Sequence, residues 1–233
     1  MIELIDVTKV YVRQTVLNIK SLMVNKGESF GLVGNNGAGK TTMFRCILDL
    51  IRPTTGTILS NGRNVARDES WKNSTGSYLD EGFLIDFLTP EEYFRFVADT
   101  YGLSEGDLAE FHEEFGDFFN NEILGKKKLI RNLSSGNRQK IGIAAALMPK
   151  PEILVLDEPF NSLDPTTQIR LKTLLKDLQK KNGITMLISS HDLNHITDIC
   201  DRIVILHEGE IAHDLATNQD TLKTLEEYFT VKS

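Results

Sequence analysis

The chain has 233 residues, 40% hydrophobic and 25% charged, which suits one large globular domain and excludes a disordered or collagen-like chain. Its 26 basic and 33 acidic residues leave a net charge of −7, which argues against a general nucleic-acid binder. The longest run without Asp, Glu, Lys, Arg or His, from Ser29 to Gly39, is eleven residues, short of the roughly 18 needed to cross a bilayer.

Glu3 and Asp6 stand where a secretory signal would carry positive charge and an apolar block, so Met1 reads as the mature start of a cytosolic protein. Residues 2–33 read as short strands, with apolar positions spaced nearer two than 3.6 and a turn at Asn25-Lys26-Gly27. A glycine-rich loop then opens a helix over 41–51, stopped by Pro53. Residues 57–59 followed by Asn61-Gly62 read as a strand and hairpin turn. Cys46 and Cys200 have no metal-like spacing and read as reduced core residues.

From Phe83 the pattern changes. Eight of the twelve phenylalanines fall between Phe83 and Phe119, with helix starts of capping-box type at Thr89-Pro90-Glu91-Glu92 and Ser104-Glu105-Gly106-Asp107. This predicts a separate helical subdomain with its own aromatic core. After Pro149 and Pro151, strand-like runs at 153–156, 184–188 and 203–206 alternate with helical stretches at 165–181 and 192–200, which is α/β alternation with a parallel sheet. A last helix is expected over 222–229. The whole of 1–233 therefore reads as one domain: an α/β core from 1–82 and 148–233, including an N-terminal β subdomain, interrupted by a helical insert at 83–147.

Gly34-Asn35-Asn36-Gly37-Ala38-Gly39-Lys40-Thr41 matches GxxxxGK[ST] between an apolar strand and a helix, the setting of a P-loop. Its glycines let backbone N–H groups turn around phosphate oxygens, and the helix start adds the positive end of its dipole. Lys40 is placed to bridge the β- and γ-phosphates and Thr41 to hold Mg²⁺; with Thr42 these residues form the candidate nucleotide site. An acidic residue ending a buried strand should complete it, and Asp157-Glu158 after Ile153–Leu156 supplies two. Asp157 is assigned to Mg²⁺ and Glu158 to orienting the attacking water as general base.

Leu133-Ser134-Ser135-Gly136-Asn137, followed by Arg138-Gln139-Lys140, resembles the LSGGQ signature of ATP-binding cassette (ABC) ATPases and lies, as in that family, between the P-loop and the acidic strand. Ser162-Leu163-Asp164-Pro165 is similar to the family's D-loop, Ser190-His191-Asp192 to its switch-histidine segment, and Tyr11 stands where the family stacks an aromatic ring on adenine. The resemblance implies that Ser134 and the N–H of Gly136 contact ATP held by a second copy in a head-to-tail dimer, and that His191 senses the γ-phosphate. It also implies a P-loop NTPase fold with a helical insert, ATP with Mg²⁺ as cofactors, and a separate membrane permease as partner. Glu81 aligns with the Q-loop glutamine and is expected near Mg²⁺; Ser135 and Asn137 also depart from the signature.

Two motifs are set aside. Asn25-Lys26-Gly27-Glu28 precedes the P-loop and suits a turn rather than guanine recognition, and His191 with His195 lacks the glutamate of HExxH, so no zinc is expected. The basic residues from Lys126 to Lys140 read as a solvated face that also balances ATP phosphates, and no nucleic acid is expected. The reading is the ATPase subunit of a membrane transporter, held on the inner face of the membrane by its permease. The compact chain is most similar to cassettes of exporter-type systems. A soluble cassette acting on ribosomes or chromosomes is the alternative, and a small-molecule P-loop kinase the third; the signature and Glu158 oppose the kinase.

Overall fold

The computed structural model describes residues 1–231. Among them the strands form two sheets. The smaller is antiparallel, in the order β2-β1-β4-β5, from β1 (Ile2–Tyr11), β2 (Gln14–Val24), β4 (Thr55–Ser60) and β5 (Arg63–Asn64). The larger runs β10-β9-β3-β8-β7-β6, from β3 (Ser29–Val33), β6 (Thr75–Tyr78), β7 (Ile153–Leu156), β8 (Thr185–Ser189), β9 (Arg202–His207) and β10 (Glu210–Ala216). It is parallel except for β10, which returns as a hairpin on β9. This is the α/β architecture with an antiparallel N-terminal sheet that the residue pattern predicts.

Every residue of β3, β7 and β8 is buried, because this sheet is covered on both faces. Alternation along each strand splits its side chains between two cores. Leu32, Ile153, Val155, Leu187 and Leu206 meet the N-terminal sheet and Phe44 of helix α1 (Lys40–Ile47). On the other face Leu154, Leu156, Met186 and Ile205 meet helices. These are chiefly α5 (Ser135–Leu147), α6 (Pro165–Asn182) and α7 (Leu193–Ile199).

Sequence periodicity misjudges several boundaries for identifiable reasons. β1 buries Ile2, Leu4 and then Val7, a step of three, because Asp6 takes φ 49° and the register on β4 shifts there. Gly56 lies against that bulge, where a Cβ would strike the carbonyl of Asp6. Helix α1 ends at Ile47 rather than 51, since Asp49 turns left-handed at φ 53° and the carbonyl of Arg45 takes Leu50 N at 2.9 Å. The turn at Asn61-Gly62, with φ 48° and 76°, joins β4 to β5 as expected.

The insert carries α2 (Pro90–Tyr101), α3 (Glu105–Glu114) and α4 (Gly116–Phe119), and both capping boxes form, on Thr89 with Glu92 and Ser104 with Asp107. Phe94 packs edge-on to Phe111 with ring centroids 5.1 Å apart and stacks on Phe119 at 5.5 Å. This aromatic cluster is not a core of its own. It continues through Ile141, Ile143 and Ala144 of α5 into the helix-covered face of the sheet, so insert and sheet share one apolar core. The helix α8 (Thr221–Val231) closes the chain beside α7.

β6 and β10 carry no legible strand pattern. β10 is an exposed edge, and β6 reads Thr-Gly-Ser-Tyr because α5 lies directly on it. A Cβ on Gly76 would overlap the carbonyl of Ala146, and one on Gly142 would overlap the Tyr78 ring. Gly76→Ala should therefore cost about 2–3 kcal/mol in urea unfolding, since two backbones must separate. Gly106→Ala in α3, where a Cβ meets only Ser104 Oγ at 3.5 Å, should be neutral or stabilising. Equal losses at both positions would show that α5 does not rest on β6.

Candidate active site

Residues 34–39 leave the buried end of β3 and return as the first turn of α1. The loop is pressed against backbone on two sides: a Cβ on Gly34 would strike Leu206 O, and one on Gly39, which caps α1 at φ 106°, would lie 2.7 Å from Val16 O. Gly209 N donates to Ala38 O at 3.0 Å and pins the loop to the β9–β10 turn. Lys40 is 7% exposed and its Nζ donates to the carbonyl of Gly34 at 2.7 Å, so the ammonium is held inside the loop's curve. Thr42 follows in the first turn of the same helix.

The acidic pair lies alongside. Asp157, 6% exposed at the end of β7, receives the hydroxyl of Thr41 at 2.5 Å on Oδ2 and the hydroxyl of Ser189, at the end of β8, on Oδ1. Burial pushes its carboxyl above the ordinary range, while the two hydroxyl donors and the Lys40 charge pull against that. Ser189 Oγ also accepts Glu158 N at 2.9 Å. Glu158 takes φ 50°, an uncommon backbone for a residue with a Cβ, and this turns its carboxylate across the loop. There Oε1 is 3.7 Å from Lys40 Nζ, and Oε2 accepts His191 Nδ1 at 2.8 Å and His191 N at 3.2 Å.

A cavity of about 490 Å³ opens among Gly34, Asn36, Glu158, His191 and Phe229 of α8. A slightly larger groove, about 550 Å³, lies at the other ends of the strands between Glu110, Phe115, Glu152 and Leu178 and holds none of these chemical groups. The first is the candidate site, on chemistry rather than size. Ser189, Gln139, whose Nε2 donates to Glu158 O at 3.2 Å, and Phe229 are contributors that sequence reasoning misses. Ser189 alone had a signal, a hydroxyl at the carboxyl end of a buried strand next to His191.

The remaining expected residues stand apart. Tyr11 ends β1, is 45% exposed and has Lys9 Nζ 4.9 Å from its ring centroid; it does not line the cavity. Ser134 caps α5 by accepting Asn137 N at 3.3 Å, and Gly136 is tight against the D-loop segment, with a Cβ placed 2.5 Å from Ser162 O. Ser134 borders a separate polar groove with Lys126, Lys128 and Asn121. Glu81, expected near Mg²⁺, has its carboxylate on Arg138: Oε2 accepts Arg138 Nε at 2.6 Å, where a guanidinium on α5 faces it. His195 packs its ring on Phe160 with centroids 4.4 Å apart, and burial pushes its pKa down.

Thr41 and Asp157 present hard oxygen donors at one point, which fits Mg²⁺: that ion takes one or two protein oxygens and completes its shell with phosphate and water.

Residues 17–161, more than half of the chain, match the ABC transporter family. The chain belongs to that family. The cassette is 37% identical over 217 residues to a bacitracin transport ATP-binding protein of Enterococcus faecalis, covering 92% of this chain and 69% of that one. It is 32% identical over 231 residues to a lantibiotic transport ATP-binding protein of Streptococcus pyogenes, covering 98% and 96%. An ATP-binding cassette solved as a dimer in a post-hydrolysis state with ADP and Pi superposes with a TM-score of 0.84 at 27% identity, over 94% of this chain and 99% of that one. The ATP-binding subunit of an ABC transporter superposes with a TM-score of 0.85 at 30% identity, over 97% and 93%. The cassette is the ATP-hydrolysing subunit of an ABC transporter.

Because burial raises the Asp157 pKa, its ionised form weakens the fold as pH rises through that raised value, and the cost is absent below the unfolded carboxylate range. Asp157→Asn should thus melt about 2–4 °C higher than the parent in EDTA at neutral pH, with the gap closing toward acid pH. Calorimetry at the two pH values checks both signs. A variant that melts lower at neutral pH would show that the hydroxyl bonds outweigh burial.

Proposed function

We propose that two copies of the cassette close head to tail around two ATP molecules and that closure and reopening drive a separate permease. The observation that carries this reading is that one chain holds two separate polar pockets, one at the P-loop and one at Ser134. The cavity at Gly34, Glu158 and His191 and the groove at Ser134 have no lining residue in common. A second copy turned about a two-fold axis brings one surface onto the other, and the dimeric state of the related cassette supports it.

Within each site, Lys40 exchanges the Gly34 carbonyl for phosphate oxygens, and the loop N–H groups and the start of α1 hold the remaining charge. Thr41 and Asp157 would hold Mg²⁺, which offsets charge on the phosphates when bound. Glu158 accepts a proton from the water whose oxygen attacks the γ-phosphorus as the bond to ADP breaks. His191 holds that carboxylate through Nδ1 and turns it to the cavity. Ser134 and Gly136 N–H reach the phosphates from the opposite copy.

Phe83, Phe87 and Phe96 are 53%, 64% and 51% exposed on and beside the insert and are the apolar side chains there that a cytoplasmic helix of the permease would cover. No helix among the described residues is long and apolar enough to cross a membrane, so membrane attachment rests on that partner. The relatives named for bacitracin and lantibiotic transport favour a cargo of that kind. A methionine import protein of Bacillus cereus, 34% identical over 91% of this chain and 63% of that one, keeps uptake as the second reading. Deleting the gene should lower resistance to bacitracin or a lantibiotic, whereas slower methionine uptake with resistance intact would favour import.

Glu158→Gln should cut turnover by ~10²–10⁴ while keeping ATP affinity, because the amide keeps the shape and loses the base. With ATP this variant should sediment as a dimer, and adding Ser134→Arg should return it to monomer by filling the phosphate position. A dimer that survives the second change would contradict the sandwich.

A further inference from the structure

Asp80 and Glu81 follow one another where β6 leaves the sheet, and each meets an arginine from a different ATP-binding helix. Asp80 Oδ2 lies 3.4 Å from Arg45 Nη2 in the last turn of α1, with both side chains nearly half exposed. Glu81 is more tightly engaged: Oε2 accepts Arg138 Nε at 2.6 Å, and the two side chains are 36% and 26% exposed. The same guanidinium donates from Nη1 to the carbonyl of Leu133 at 2.7 Å. Leu133 is the residue before Ser134, the cap of α5.

Arg138 therefore spans three points: the segment after β6, the first turn of α5 on which it rides, and the peptide that aims Ser134. Two backbone bonds run parallel to it, Arg131 N to Asp86 O at 3.0 Å and Ile130 N to Leu88 O at 2.8 Å. One turn further along α5, Gly142 sits under the Tyr78 ring. Without a negative charge at 81 the guanidinium loses its stronger partner, and its planar fork is no longer oriented toward Leu133 O. A neutral amide at 81 would leave a half-buried cation beside the signature.

We propose that Arg138 is a positioning residue for the signature: paired with Glu81, it fixes the carbonyl of Leu133 and so the hydroxyl of Ser134 and the N–H groups that follow. The acidic residue at 81 acts through this ion pair and not at the metal. The proposal rests on the sandwich reading for its effect on ATP, because Ser134 serves the opposite copy. Its effect on the signature turn is a property of the single chain.

The test is a double-mutant cycle in the full chain with Arg138→Gln, Glu81→Gln and both. Hydrogen exchange of the peptide over 130–138 should rise about three- to tenfold in each single variant and no further in the double, the P-loop peptide staying unchanged. MgATP affinity of the monomer should be the same in all four proteins, since neither residue touches Thr41 or Asp157. In the Glu158→Gln background each single change should weaken ATP-driven dimerisation about tenfold, with little change in melting temperature, and the swap Glu81→Arg with Arg138→Glu should recover part of it.

Additive exchange, an unchanged signature peptide, or a loss of MgATP affinity confined to Glu81→Gln would overturn the proposal, the last by returning Glu81 to the metal. If Glu158→Gln protein does not dimerise at all, the sandwich reading fails, and the exchange cycle on the monomer still decides the role of Arg138.

Discussion

The site depends on one buried carboxylate shared by two hydroxyls. Asp157 takes Thr41 from the start of α1 and Ser189 from the end of β8, and Ser189 in turn takes the N–H of Glu158. These contacts tie three neighbouring segments of the sheet's carboxyl edge to one point. An unpaired buried carboxylate costs several kcal/mol of order, so the fold tolerates Asp157 only with its donors in place.

From that point the geometry spreads outward. The left-handed backbone of Glu158 carries its side chain between Lys40 and His191, so a carboxylate, an ammonium and an imidazole share one small space. The P-loop is backed by Val16 and Leu206, which leaves no room for a side chain at Gly34 or Gly39. On the far side, α5 approaches β6 so closely that Gly76 and Gly142 are required, and Gly136 is required again where the signature meets Ser162. The signature helix is thus fastened to the sheet by contacts that exclude a Cβ, and by one ion pair at its start.

Charge is arranged to match these contacts. The chain carries net −7, yet the residues nearest the phosphate cavity and the signature groove include Lys40, Lys126 and Lys128. Local positive charge can attract a polyanion to chosen points of a protein whose net charge is negative. Glu81, which stands where the family's glutamine is expected, has its charge met by Arg138.

Much of this protein was legible in the residues. The P-loop, the acidic pair after a buried strand, the two capping boxes and the Asn61-Gly62 turn are local patterns, whose chemistry depends on neighbours a few positions away. The resemblance of residues 133–137 to the LSGGQ signature, lying between the P-loop and the acidic strand, then pointed to the family. What lay beyond it is non-local. Glu81 and Arg138 are 57 positions apart, Glu158 and His191 33, and Asp157 and Ser189 32, and no periodicity relates them. β6 escaped notice because its neighbours demand glycine where strand patterning demands bulk, and the aromatic cluster looked self-contained because α5, which joins it to the sheet, packs both through residues distant in the chain. The sequence by itself determined which chemistry is present; the tertiary structure decided which groups meet, because ion pairs and close backbone packing form only where separate strands and helices are brought together.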